Sequence, residues 1–145
     1  MIFTVDASVF ISAAKPGEAA HSACVEFFTQ AVRQHGAFEC PTLLLVEIAA
    51  AMGRSTRDSQ LSRSFVQKTQ ANPLLRLKPL DTHLAGLSAD MALTHFVRGA
   101  DAVYLAVAHE AGGALITLDE EMKQRGAAIV PSFTPSEWLR RSSVK

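Results

Sequence analysis

Hydrophobic positions along this chain fall into two alternating kinds of block. Short β-rich runs stand at 2–5 (IFTV), 37–40 (AFEC), 74–80 (LLRLKPL, weakly alternating), 114–117 (ALIT) and 127–130 (AAIV). These predict five strands. Between them apolar residues recur at helical spacing. SVFISAA (8–14) starts a helix that Lys15-Pro16-Gly17 breaks. From 18 to 34, Ala20, Cys24, Phe27, Phe28 and Val32 share a helical face, with Gly36 expected as the stop. TLLLVEIAAAMGR (42–54) is rich in helix formers, and 58–70 is a more polar helix closed by Ala-Asn-Pro. Asp81 is placed to cap a helix reaching about Phe96, and Asp101 opens an almost wholly apolar helix ended by Gly112 and Gly113. A short helix over 119–126 with its own glycine stop comes next, and TPSEWLRR (134–141) begins with Thr-x-x-Glu and a proline suited to the first helical position. Strands alternating with helices imply an α/β protein with a mostly parallel sheet. Ligands of such sheets bind outside the carboxyl ends of the strands.

Composition narrows the class. The 145 residues, 48% hydrophobic and 19% charged, suit one globular domain spanning 1–145. No apolar run approaches the roughly 20 residues that cross a bilayer, and the N-terminus lacks a signal-peptide pattern, so a cytoplasmic protein without membrane contact is expected. Cys24 and Cys40 make no disulfide framework and are expected as reduced, partly buried thiols. The five histidines show no metal-site spacing. The formal net charge of zero argues against coating nucleic acid by charge alone, but a local basic patch is enough for a nuclease. Arg54, Arg57, Arg63 and Lys68, against the single acid Asp58, form such a patch or else a solvated helix face.

The candidate chemistry lies in the carboxylates. Asp6 follows the first strand, Asp119 follows the fourth, and Asp101 begins the apolar helix. Each alone reads as a helix cap, a role that contributes about 0.5–2 kcal/mol. Asp81 is the control, a strand-to-helix aspartate expected to cap and nothing more. Glu47 is different. It sits inside LLLVEIAAAM, apolar on both sides, where no cap is needed and an unpartnered buried charge would be costly. Two carboxylates about 5 Å apart repel by roughly 3 kcal/mol at an effective dielectric near 20. Four at one sheet edge stay ionised together only with cations among them, and their hard oxygens suit Mg²⁺ or Mn²⁺. Such a metal can activate water and stabilise both in-line oxygens of a phosphodiester.

The acids and their surroundings resemble the PIN domain family, in particular VapC-like toxin ribonucleases. The resemblance covers nearly the whole chain: TVDASVF with Asp6, LLLVEIAAAM with Glu47, and LKPLDTHLAGLSADMALTHFVRGADAVYLAVAHEAGGALITLDEEM with Asp101 and Asp119. It implies a three-layer, Rossmann-like PIN fold with a mostly parallel sheet of about five strands flanked by helices. It implies an RNA-cleaving site in which Asp6, Glu47, Asp101 and Asp119 hold Mg²⁺ or Mn²⁺. In-line attack by water would leave 3′-hydroxyl and 5′-phosphate ends. Ser8 falls where the family often has a small polar residue that helps organise the site, and Thr117, just before the fourth acid, is a candidate for the same role; the alternative for both is local backbone capping or a strand-end hydroxyl. Arg54 and Arg57 are candidate RNA contacts, and an antitoxin and a second copy of the chain are the expected protein partners. A stand-alone RNA-processing nuclease and a non-catalytic PIN-like RNA- or protein-binding module are the alternatives. A haloacid-dehalogenase-type phosphatase would need DxDxT, and DASVF lacks the second aspartate. A response-regulator receiver would need paired acids near the first strand, where Asp6 stands alone.

Overall fold

In a computed structural model, residues 1–143 are described. The elements, in chain order, are β1 (Ile2–Val5), α1 (Ala7–Ala14), α2 (His21–Arg33), β2 (Ala37–Pro41), α3 (Leu43–Thr56), α4 (Ser59–Gln70), β3 (Leu75–Lys78), α5 (Thr82–His95), α6 (Gly99–Ala111), β4 (Ala114–Ile116), α7 (Glu120–Gly126), β5 (Ser132–Phe133) and α8 (Pro135–Ser142). The fold is α/β: a five-stranded, all-parallel sheet in the order β3-β2-β1-β4-β5, flanked by eight helices.

The strand order fixes where a site can form. From β1 the chain steps outward to β2 and β3, then crosses back through α5 and α6 to β4 on the other side of β1. The crevice where the winding reverses lies between the carboxyl ends of β1 and β4, the expected ligand position in an open α/β sheet. Register brings Val5 opposite Ile116, and the Asp6 amide donates to the Ile116 carbonyl at 2.9 Å.

Packing explains the composition of the central elements. Phe3 and Phe38 from the sheet meet Phe27 of α2 and Trp138 of α8, with the Phe3–Trp138 and Phe3–Phe27 pairs edge-to-face at 5.3 and 5.4 Å. Such geometry suits the aromatic quadrupole. Helix α6 packs on β1, β2 and β4 and against α5, so Ala102–Ala108 is buried all round. That accounts for its apolar sequence, since a helix covered on every side has no polar face to keep. Cys24 and Cys40 are free, buried thiols, and burial pushes the Cys40 thiol up to about 12.

Four expectations need correction. AAIV (127–130) is not a strand. Ile129 and Val130 both donate to the Gly126 carbonyl in a turn that closes α7, and the fifth strand is Ser132–Phe133, paired to Leu115 and Ile116. Val130 is buried like a strand residue, which is why its hydrophobicity misleads. Gly36 does not end α2 by adopting a left-handed turn: His35 takes that conformation (φ 57°). Gly36 is needed for space, because a Cβ there would lie 2.8 Å from the Ala31 carbonyl oxygen and 2.9 Å from the Phe3 ring. The stop expected at Gly126 is also no left-handed turn. Gly126 is the last residue of α7, and Ala127 caps the helix in right-handed conformation. Asp101 is the third residue of α6, not its opener, and Arg98 holds the N-cap position. Among the described residues, no helix is long and apolar enough to cross a membrane.

Candidate active site

At the carboxyl end of β1, Asp6 occupies the N-cap position of α1, yet its side chain accepts no backbone amide of that helix. Its Oδ2 instead receives the Ser8 hydroxyl at 2.6 Å and the Thr117 hydroxyl at 3.0 Å. Both hydroxyl oxygens also accept from the β4 side, Ser8 from the Leu118 amide at 3.3 Å and Thr117 from the Asp119 amide at 3.0 Å. Two short side chains thus tie the ends of the neighbouring strands β1 and β4 to one carboxylate. Thr117 is fully buried, so its hydroxyl needs these partners.

Glu47 enters from α3, half-buried, and accepts from the Tyr104 hydroxyl of α6 at 2.6 Å. Tyr104 is buried and is the only tyrosine of the chain. Desolvation first, then the bond to Glu47, pushes its own pKa well above the ordinary range, so it stays a donor at any working pH. Desolvation also raises the pKa of Glu47; the Tyr104 bond opposes this, and the charges of Asp6 and Asp101 add to it.

Asp101 sits one turn before Tyr104 on α6, its side chain 16% exposed. Burial raises its pKa above the ordinary carboxylate value; Arg98 opposes this, and Asp119 and Asp6 reinforce it. Asp119 does two things. Its Oδ1 caps α7 by accepting from the Met122 amide at 3.0 Å, and its Oδ2 meets Arg98. The Met122 bond is the main reason its pKa lies below the ordinary value. The neighbouring Glu120 and Glu121 instead pair with Lys123 and Arg125.

The four acids therefore share one edge of the sheet and feel each other's charge. Among the described residues, no three His, Cys, Asp or Glu side chains converge on a single point as they stand. Asp101 and Asp119 are drawn onto the guanidinium of Arg98, whose Nε donates to Asp101 Oδ2 at 2.9 Å and whose Nη2 donates to Asp119 Oδ2. A cationic group already lodged between two of the carboxylates, together with an all-oxygen donor set, fits a hard divalent cation. Arg54 and Arg57 do not join the cluster. They are exposed at the far end of α3, roughly 10 and 15 Å along the helix from Glu47 at 1.5 Å per residue.

Two residues of the site escape sequence reasoning, Arg98 and Tyr104. The signals existed. Arg98 stands three residues before Asp101, a spacing at which helical side chains meet. A lone tyrosine inside an apolar helix also carries a hydroxyl that must find a partner.

The PIN domain family profile matches residues 3–128. No sequence among the curated proteins matches the chain significantly. Solved structures similar to it include VapC20 of Mycobacterium tuberculosis, described as a Sarcin-Ricin loop cleaving toxin. That likeness has a TM-score of 0.74 and 17% identity, covering 90% of this chain and 97% of that one. DNA-bound VapBC from Salmonella typhimurium gives a TM-score of 0.71 at 14% identity, covering 93% and 98%. A toxin-antitoxin complex from Klebsiella pneumoniae gives 0.61 at 17% identity, covering 91% and 96%.

Proposed function

The chain belongs to the PIN domain family, and from that premise we propose that it is a Mg²⁺-dependent endoribonuclease, one PIN domain over residues 1–145, acting as the toxin of a toxin–antitoxin pair. The observation that carries the reading is Asp6. It stands at a helix N-cap, forgoes the cap, and is held by Ser8 and Thr117 at the strand end, where its charge reaches Glu47 and Asp101.

Asp6, Glu47, Asp101 and Asp119 would hold the divalent cation, Mg²⁺ or Mn²⁺, which when bound supplies an activated water and stabilises charge on the phosphodiester oxygens. The chain's own residues set the geometry. Ser8 and Thr117 fix the Asp6 carboxylate, leaving Oδ1 without a hydrogen bond from either hydroxyl. Tyr104 orients Glu47 and leaves its second oxygen open. The raised pKa values of Glu47 and Asp101 keep the carboxylates poised to gain from a cation. Arg54 and Arg57, exposed along α3, are proposed contacts to the RNA backbone flanking the cut. The toxin–antitoxin complex among the similar structures supports an antitoxin as partner, and we propose a homodimer in the cytoplasm.

Purified wild-type protein should cleave RNA in Mg²⁺ or Mn²⁺ and stop on chelation. Asp101→Asn should fold normally and lose cleavage. Undiminished cleavage by the folded variant would overturn the assignment, and no cleavage by wild type in either metal would favour the non-catalytic RNA- or protein-binding module. Mapping 5′ ends of cellular RNA after inducing wild type and Asp101→Asn identifies the target as cuts found with wild type only.

A further inference from the structure

Arg98 stands at the N-cap of α6, but its side chain bonds no backbone group of that helix. Its side chain is 58% exposed, so little packing holds it in place. What orders it is the pair of carboxylates, Asp101 through Nε and Asp119 through Nη2. The other basic side chains with ion-pair partners among the described residues are committed elsewhere: Lys123 to Glu120 and Glu137, Arg125 to Glu121, Arg76 and Lys78 to Glu39, His83 to Glu110. Among the described residues, Arg98 is the cation that pairs with acids of this cluster, Asp101 and Asp119.

We propose that Arg98 is a built-in counter-ion that competes with the divalent cation for Asp101 and Asp119, and that, once displaced, it becomes a positioning arm for an RNA phosphate. This rests on the metal-dependent reading of the site. Asp101 Oδ2 and Asp119 Oδ2 are the oxygens Arg98 occupies, and an ion of the Mg²⁺ class needs carboxylate oxygens at about 2.0–2.1 Å. A guanidinium on the same oxygen atoms would be repelled by that ion, and in this proposal binding the metal loosens at least one of its bonds. The freed fork stays anchored at the first residues of α6. Its planar donors match phosphate oxygens in pairs, which a lysine ammonium does not do. The same residue thus shields the acids from one another without metal and faces the substrate with it.

The test is calorimetric titration of wild type, Arg98→Ala and Arg98→Lys with Mn²⁺ alone, followed by steady-state cleavage of an RNA oligonucleotide. Exposed ion pairs of this kind predict Mn²⁺ binding about three- to tenfold tighter in Arg98→Ala, with Arg98→Lys between the two. KM for RNA should rise in Arg98→Ala more than kcat falls. Thermal melts of all three should lie close together, since the Arg98 side chain contributes only exposed ion pairs. Unchanged or weaker Mn²⁺ binding in Arg98→Ala, with wild type binding normally, overturns the competition. Tighter Mn²⁺ binding with an unchanged KM overturns the phosphate arm. If wild type and variant both fail to bind Mn²⁺, the metal-dependent reading falls and the proposal with it.

Discussion

Two strand-to-helix junctions, β3–α5 and β1–α1, start from the same sequence device and end differently. Each puts an aspartate at the N-cap. Asp81 accepts from the Leu84 amide at 2.9 Å and is an ordinary cap. Asp6, in the same position before α1, turns its carboxylate to Ser8 and Thr117 and leaves the first amides of α1 without it. The neighbours decide. Asp81 follows an exposed segment after β3, the outer strand of the sheet, whereas Asp6 follows a central strand whose partner, β4, is followed directly by the buried Thr117. An N-cap aspartate that declines to cap is a sharper marker of a working site than an acidic residue counted in sequence.

The largest effect expected from this contrast is on activity. Asp6→Asn keeps the hydrogen-bonding shape and should lower metal-dependent cleavage by about two orders of magnitude or more, with a melting temperature near that of wild type. Cleavage within a few fold of wild type would erase the distinction between the two junctions. Tyr104→Phe comes next. It removes the donor to Glu47 without changing the buried ring, and Mn²⁺ affinity measured by titration should fall about tenfold. Asp81→Ala should do the reverse of Asp6→Asn, costing about 1 kcal/mol in denaturant unfolding while cleavage stays unchanged. The smallest effect also lies at the α5 junction. His83 pairs with Glu110, and the hydrogen bond, ahead of the charge, raises its pKa above the ordinary 6.5. A raised histidine pKa stabilises the fold fully below about pH 6.5, and that contribution is lost as pH rises through the higher folded value. The melting-temperature gap between wild type and His83→Ala should therefore shrink on going from pH 6 to pH 8.5.

Much of the fold could be read from the pattern of residues, because the signals were local and agreed with one another. The buried run of α6 ends at Gly112, which takes the left-handed turn (φ 62°), and the Thr134-Pro135-Glu137 box starts α8 as its chemistry requires. The fifth strand was misplaced because burial alone made Val130 hydrophobic, while the two-residue strand that pairs with β4 contains a serine. Within the site, the order of the acids was visible along the chain, but the behaviour of each was not. Whether an aspartate caps or turns away depends on a hydroxyl more than a hundred residues distant, as Thr117 is from Asp6. The bridge from Arg98 to Asp119 and the bond from Tyr104 to Glu47 span 21 and 57 residues, and no periodicity records them.

The central position of β1 also sets an order in time. Ile2–Val5 is made first, yet it takes its place between β2 and β4, so one of its edges waits unpaired until Ala114–Ile116 has been synthesised. Thr117, which aims Asp6, and Asp119 follow directly after that strand. A growing chain therefore carries Asp6 and Glu47 for most of its synthesis without the partners that would make them a site. A chain that ends before Ala114 lacks β4 and leaves one edge of β1 unpaired, an opening for strands of other chains.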